Sequence, residues 1–188
     1  MSQGVPDSLV PWVGRAQEGD PAAFEHLVTR LNGPLRSFAR GVLGHWAEAE
    51  DAVQEAWLRI WRRLPHLKDR AAFTGWAYSI TRNVCLDRIR SRDRLKADSL
   101  DAQVLELAAP EDAQPEERTE RRLELERAWS RVAALPLAQR EAFLLVAVHG
   151  LSYRDAALAM GSTETTLRGR LARARAALTT DPGEEATP

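Results

Sequence analysis

The chain has little sulfur or imidazole to work with: a single cysteine, Cys85, and four dispersed histidines in 188 residues. A lone thiol excludes an intramolecular disulfide and suits a reducing cytoplasm. Cys85 falls in an apolar helical stretch, the setting of an ordinary buried thiol. His26, His45, His66 and His149 lack the short spacings that gather ligands around zinc, so neither a metal nor a cofactor is expected. Long apolar runs are missing too: none approaches the about 20 residues that span a bilayer, and no membrane insertion is expected. The amino-terminal MSQGVPDSLVPWVGR has neither the basic start nor the apolar core of a signal peptide. Strand-like alternation is absent, so the fold class is all-α. Nothing pairs a nucleophile with a base or cradles a phosphate on glycines, so the chain does not read as an enzyme.

What the chain does have is segregated charge. The formal net charge of −1 conceals 13 basic and 10 acidic side chains in residues 16–95, 2 and 8 in residues 96–120, and 10 and 5 in residues 121–178. Two basic blocks around an acidic connector suggest two modules that face nucleic acid. The near-neutral total gives the free protein little attraction for DNA, because non-specific affinity grows with the number of phosphates neutralised.

The periodicity is helical. Asp20-Pro21 predicts a helix start, with Asp as cap and Pro in the first turn. That helix carries Phe24, Leu27, Val28 and Leu31 and is expected to end at Asn32-Gly33, with another beginning near Pro34. Further helices are expected over about 47–64, stopping at Pro65, over about 71–94, and over about 120–134. Residues 96–120, with Pro110, Pro115 and their acids, read as a flexible acidic linker. The tail DPGEEATP reads as disordered, and no appended regulatory domain is expected after residue 178.

The helix over 47–64 has two rows. Val53, Trp57, Ile60 and Leu64 form the core stripe. Beside it run Asp51, Gln54, Leu58 and Trp61, with Glu55 and Arg62 nearby, apolar anchors ringed by polar groups as on a docking surface. Leu58 and Trp61 could instead pack on the amino-terminal helices. In the next helix Phe73, Trp76, Ala77, Ile80 and Val84 share a face, readable as core or as a base-stacking platform. The short basic connection Pro65-His66-Leu67-Lys68-Asp69-Arg70 could hold an extruded base by its edge. Arg88, Arg90, Arg92, Arg94 and Lys96 suit a phosphate backbone.

Residues 135–178 carry the strongest pattern. Ser152 caps a helix with Asp155 in its first turn. Ala157 is small where helices must meet, Gly161 supplies a positive φ, and Ser162 is expected to cap the next helix. On that helix Leu167, Leu171, Ala174 and Leu178 share one face, and Arg170 beside them is expected to brace the fold through a salt bridge. Opposite lie Thr165, Gly169 and Ala172, flanked by Thr166, Arg168, Arg173 and Arg175. Small residues on a crest with arginines on its flanks fit a helix that enters a major groove. A merely solvated arginine-rich helix would explain the arginines but not the cap, small residue and turn glycine at helix-turn-helix spacing.

The ordered runs DPAAFEHLVTRL, AEAEDAVQEAWLRIWRRL and FTGWAYSITRNVCLDRIRSR, then an acidic linker and LPLAQREAFLLVAVHGLSYRDAALAM, resemble a group 4 (extracytoplasmic-function, ECF) sigma factor of bacterial RNA polymerase. The resemblance implies a sigma-70 region 2 helical bundle over 16–95, a flexible linker over 96–120 and a region 4 helix-turn-helix over 121–178. It implies a protein that binds core polymerase and directs promoter recognition. Asp51, Gln54, Glu55, Leu58 and Trp61 would meet the β′ clamp helices. His66, Lys68, Arg70, Arg82, Asn83 and Arg90 would face the −10 element. Thr163, Glu164, Thr165, Thr166, Arg168 and Arg173 would face the −35 duplex. Implied partners are core polymerase (β′ clamp helices and β subunit), promoter DNA and an anti-sigma factor. The chain departs from the family at Thr165-Thr166-Leu167, Arg168-Gly169 and Asp155-Ala156-Ala157, which leaves the −35 sequence preference, the regulon and the inducing signal open.

Within that frame Glu164 would reach a cytosine amino group and Thr165 and Arg168 other base edges, Arg168 toward guanine, while phosphates fix the register. The linker would join sites about 70 Å apart. Its 25 residues reach about 80–90 Å when extended but only about 25–30 Å as a relaxed coil, so polymerase would hold it extended. Two rivals remain: a LuxR-type homodimeric regulator, which leaves 16–95 unexplained, and a pure interaction protein.

Overall fold

A computed structural model describes residues 8–98 and 120–179, and among them there is no strand. The helices are α1 (Val10–Gln17), α2 (Pro21–Leu43), α3 (Trp46–Arg63), α4 (Phe73–Asp98), α5 (Glu120–Ala134), α6 (Leu137–Phe143), α7 (Tyr153–Ala159) and α8 (Glu164–Thr179). Short 3-10 turns, Leu64–His66 and Arg70–Ala72, flank the loop between α3 and α4, and α6 runs on into a π turn, Leu144–Val148. Of the expected linker, residues 96–98 continue α4 and Glu120 opens α5; the remainder, like the tail from residue 180, lies outside the described residues.

One helix goes unread in the sequence and one expectation needs correction. α1 forms before Asp20, opened by Pro11 and burying Val13 and Ala16 against α2. Asp20 does cap α2, accepting from the Ala22 and Ala23 amides at 3.0 and 3.2 Å. The Arg15 guanidinium, 2.6 Å away, is the main reason its carboxyl is held below the usual carboxylate range. α2 then passes through Asn32-Gly33-Pro34 without ending. An internal proline costs about 3 kcal/mol. However, Leu27, Leu31, Leu35, Phe38 and Val42 stay in phase across it and are buried, and each contributes about 1.5–3 kcal/mol of burial. The helix stops instead at Gly44, whose φ of 86° closes a left-handed cap.

In the carboxy-terminal part, Ser152 caps α7 by accepting from the Asp155 amide at 3.0 Å. Gly161 makes the turn at φ 57°. The cap of α8 is Thr163, whose hydroxyl accepts from the Thr166 amide at 3.2 Å; Ser162 lies one residue too early, and its hydroxyl is buried without a partner. Leu167, Leu171 and Ala174 are buried as one face. Arg170 makes no ion pair among the described residues, so the expected brace is not seen there.

The two helical regions do not stand apart. α4 packs along α7, and α2 meets α6. Their apolar residues form one continuous core, from Val13 to Leu171. Glycine allows the closest approaches: a Cβ at Gly75 would fall 2.9 Å from the Asp155 carbonyl oxygen, and one at Gly41 would fall 2.7 Å from Leu144.

Candidate nucleic-acid interface

The second row of α3 faces outward. Asp51 and Gln54 are exposed, Leu58 is 59% exposed and Trp61 44%. Trp61 belongs to both readings offered by its sequence position, because one edge packs on Phe24 with centroids 4.6 Å apart while the rest meets solvent. Glu55 differs from its neighbours. It pairs with Arg59 at 2.5 Å and with Arg88 at 3.4 Å, which ties α3 to α4. The core row is buried as its spacing implied.

The loop after α3 presents His66, Lys68 and Arg70 to solvent, with Leu64 buried and Leu67 packed inward. It is tightly pinned. Gln17 of α1 donates from Nε2 to the Leu64 and Leu67 carbonyls at 3.0 and 2.7 Å, and its Oε1 accepts from Arg70 Nε at 2.7 Å. Asp69 accepts from the Ala71 amide at 3.0 Å and opens the second 3-10 turn. Its other oxygen accepts from Arg154 of α7 at 3.3 Å.

Along α4 the expected DNA-facing residues separate. Phe73, Ala77, Ile80 and Val84 are core, and Trp76 is partly buried against them, so this face is packing. Cys85 is fully buried, and burial pushes its thiol up to about 12. Asn83 and Arg90 are exposed. Arg82 is not: it donates from Nε and Nη2 to the two oxygens of Glu141 at 2.8 and 3.0 Å, with Arg82 17% and Glu141 1% exposed. The later arginines do not form one strip for phosphates. Residues two apart on a helix point to nearly opposite sides. Arg88 and Arg92 therefore reach Glu55 and Glu48 of α3 at 3.4 and 3.7 Å, while Arg90 pairs with Asp87 at 3.0 Å on the outer side.

α8 keeps its outer face open. Thr165, Thr166, Arg168, Ala172, Arg173 and Arg175 are exposed, and a methyl group at Gly169 would meet no atom within 4 Å. Arg168 is poised rather than loose: its guanidinium lies 5.1 Å from the Tyr153 ring centroid and 3.4 Å from Glu164. The Thr163 and Thr166 hydroxyls bond each other at 3.0 Å while Thr163 caps the helix.

Sequence reasoning missed Gln17, which precedes the first expected helix, and Glu141. A signal for Glu141 was present. It stands in phase with Leu137, Leu144 and Leu145, and an acid on an apolar stripe demands a buried cation. Another missed feature is His149, which lies between Phe38 and Tyr78 with ring centroids 6.1 and 5.7 Å away. Burial lowers its imidazole to about 4. Among the described residues no helix is long and apolar enough to cross a membrane, and no cluster of three His, Cys, Asp or Glu could hold a metal.

Comparison with known proteins follows the same division of the chain. The family model for Sigma-70 region 2 matches residues 27–95, and that for Sigma-70, region 4 matches residues 125–178. The probable RNA polymerase sigma factor RfaY of Xanthomonas campestris pv. campestris is 34% identical over 164 residues. These cover 86% of this chain and 40% of RfaY, so the chain spans about two fifths of that relative. ECF RNA polymerase sigma factor SigM of Mycobacterium tuberculosis is 36% identical over 164 residues, 85% of this chain and 77% of SigM. Among solved structures, the sigma factor RpoE co-crystallised with the anti-sigma factor NepR from Bartonella quintana superposes with a TM-score of 0.68. It is 26% identical, with 82% of this chain and 93% of that one covered. With a region 2 bundle, a region 4 helix-turn-helix and relatives of this kind, the chain belongs to the sigma-70 family of RNA polymerase sigma factors, which direct transcription initiation at promoters, and within it to the ECF group.

Proposed function

We propose that this chain docks on core polymerase through the outer row of α3, reads the −10 element with the loop 64–70 and the exposed side of α4, and reads the −35 duplex with α8. The open face of α8 carries the reading: Thr165, Gly169 and Ala172 on its crest, Arg168, Arg173 and Arg175 on its flanks. Small crest residues let the helix axis approach the base edges, and guanidinium groups on the rim meet phosphates or guanine. Beside Asp51 and Gln54, Leu58 and Trp61 offer apolar anchors ringed by polar groups. The protein acts as a specificity subunit in the cytoplasm and is not an enzyme; catalysis belongs to polymerase. The co-crystal of RpoE with NepR supports an anti-sigma factor as a further partner.

In the free chain the packed arrangement holds Arg82 against Glu141 and lays α7 over α4, so −10 recognition waits until polymerase separates the two regions. The free chain therefore binds promoter DNA weakly, both for lack of net positive charge and because part of its DNA surface is covered. Run-off transcription with purified core polymerase tests the assignment. Addition of the chain should start transcripts at a defined set of promoters. Arg168→Ala should reduce −35 selectivity by about 1–3 kcal/mol and leave polymerase capture intact, whereas Asp51→Ala with Gln54→Ala should weaken capture and leave the helical fold intact by circular dichroism. Absence of any transcript, or nanomolar sequence-specific footprinting by the free chain, contradicts the reading.

A further inference from the structure

We propose that Gln17 is the positioning residue that sets the shape of the −10 loop, and that Arg70 serves that scaffold rather than DNA, leaving His66 and Lys68 as the loop's base-facing side chains. The inference rests on the −10 assignment of this loop made above.

A carboxamide offers two donors on nitrogen and an acceptor oxygen, and Gln17 commits them all to one loop. Its nitrogen holds the Leu64 and Leu67 carbonyls at 3.0 and 2.7 Å; its oxygen holds Arg70 Nε at 2.7 Å. The Leu64 carbonyl lies at the end of α3, where helical carbonyls lose their partners, and it also accepts from the Leu67 amide at 3.1 Å. One turn earlier on α1, Gly14 provides the bed for the arginine. A Cβ there would fall 2.7 Å from Arg70 Nη1 and 3.1 Å from Cζ, so the guanidinium rests on bare backbone. Arg70, though exposed, is thus engaged at Nε and lies against the Gly14 backbone beside Nη1, so a bidentate contact with a base edge would have to draw it away from Gln17 and Gly14. Pro65, His66 and Lys68 project between the pins and are exposed. Glutamine alone suits position 17: glutamate cannot donate to two carbonyls, and lysine cannot accept from Arg70.

The test uses the full chain bound to core polymerase, with a pool of DNA whose single-stranded −10 segment is randomised and whose −35 duplex is fixed. Gln17→Ala and Gln17→Glu should each lower base discrimination in the selected −10 segment about tenfold, the scale of lost hydrogen bonds to a charged group. Hydrogen exchange at the Leu67 amide should accelerate by a similar factor, and affinity for the −35 duplex should not change. Arg70→Ala should lower discrimination less than Gln17→Ala, because Gln17 keeps its bonds to the Leu64 and Leu67 carbonyls. The double variant should be no worse than Gln17→Ala alone, because Arg70 acts through Gln17. Multiplying losses in the double variant would return Arg70 to DNA contact and overturn the proposal, as would unchanged discrimination in Gln17→Ala. His66→Ala with Lys68→Ala separates the two levels. If that pair keeps full discrimination, the −10 assignment fails and the base-facing roles fall with it; the exchange rate at Leu67 still decides whether Gln17 pins the loop.

Discussion

The arginines of α8 and those of α4 differ in what packs against them. On α8, Arg168, Arg173 and Arg175 are exposed beside an open crest, and the carboxylate that Arg168 meets, Glu164 at 3.4 Å, belongs to the same helix. On α4, Arg82, Arg88, Arg90 and Arg92 each have a carboxylate partner, and for Arg82 that partner belongs to the carboxy-terminal region. The two helices contribute similar charge to the sequence yet expose different amounts of it. The difference teaches that a basic stretch is a potential DNA surface whose availability depends on what packs against it. In this chain the outer face of α8 is open, whereas Arg82, Arg88 and Arg92 of α4 are taken up by carboxylates of the elements packed against it.

The largest disturbance of that contrast should come from Glu141→Ala. Removing one member of a buried pair costs roughly 3–5 kcal/mol, because the other charge is left uncompensated. Arg82, only 17% exposed in the closed chain, regains full hydration when α6 moves off α4. The variant should therefore melt earlier, scatter X-rays as a longer particle, and bind single-stranded −10 DNA better than the unaltered free chain. Unchanged scattering and unchanged −10 binding would mean the ion pair does not hold the regions together.

Acid should act next in size, through His149. Its imidazole is held near 4 by burial, below the ordinary value near 6.5, so the folded closed state favours the neutral ring. The associated stability is complete above pH about 6.5. It falls as pH drops toward 4, because the open or unfolded chain takes up the proton first. By pH 5 the loss amounts to about 2 kcal/mol. Thermal unfolding across pH 5 to 7 should show this slope, and His149→Leu should flatten it. A slope that survives the substitution would assign the acid sensitivity elsewhere.

The smallest effect sharpens the α8 side of the contrast. Thr163→Ala removes the cap and should cost about 1 kcal/mol of helix stability, read by faster amide exchange in the first turn of α8. It should weaken −35 binding without altering the −10 side. Equal loss at both elements would argue that the two surfaces are not separable.

Local features were legible in the sequence because short-range physics decides them. The Asp20 cap, the core row of α3, the Ser152 cap, the Gly161 turn and the buried face of α8 each rest on residues within about two turns. Where two local signals competed, the reading failed. Gly33-Pro34 looked like a break, but an apolar stripe in phase on both sides carried α2 through. Ser162 and Thr163 are both good caps, and the geometry of the turn chose the second. Long-range partners were hardest to see. Gln17 and Arg70 are separated by 53 positions and Arg82 and Glu141 by 59, so no periodicity links them. The exposed rows of α3 and α8 were therefore largely readable, whereas the pairings that occupy Arg82 and pin the loop after α3 were not.

The spacing between the two regions before and after polymerase binding tests closure most directly. Cysteines introduced at exposed Thr29 and Ala177 can carry spin labels, because Cys85 is buried and its thiol stays protonated. Pulsed electron resonance should give one narrow distance distribution in the free chain. With core polymerase and promoter DNA it should give a longer one, shifted by tens of ångströms toward the about 70 Å that separates the two promoter elements. The same distance in both states, or a broad long distribution in the free chain, would contradict a molecule that opens on polymerase.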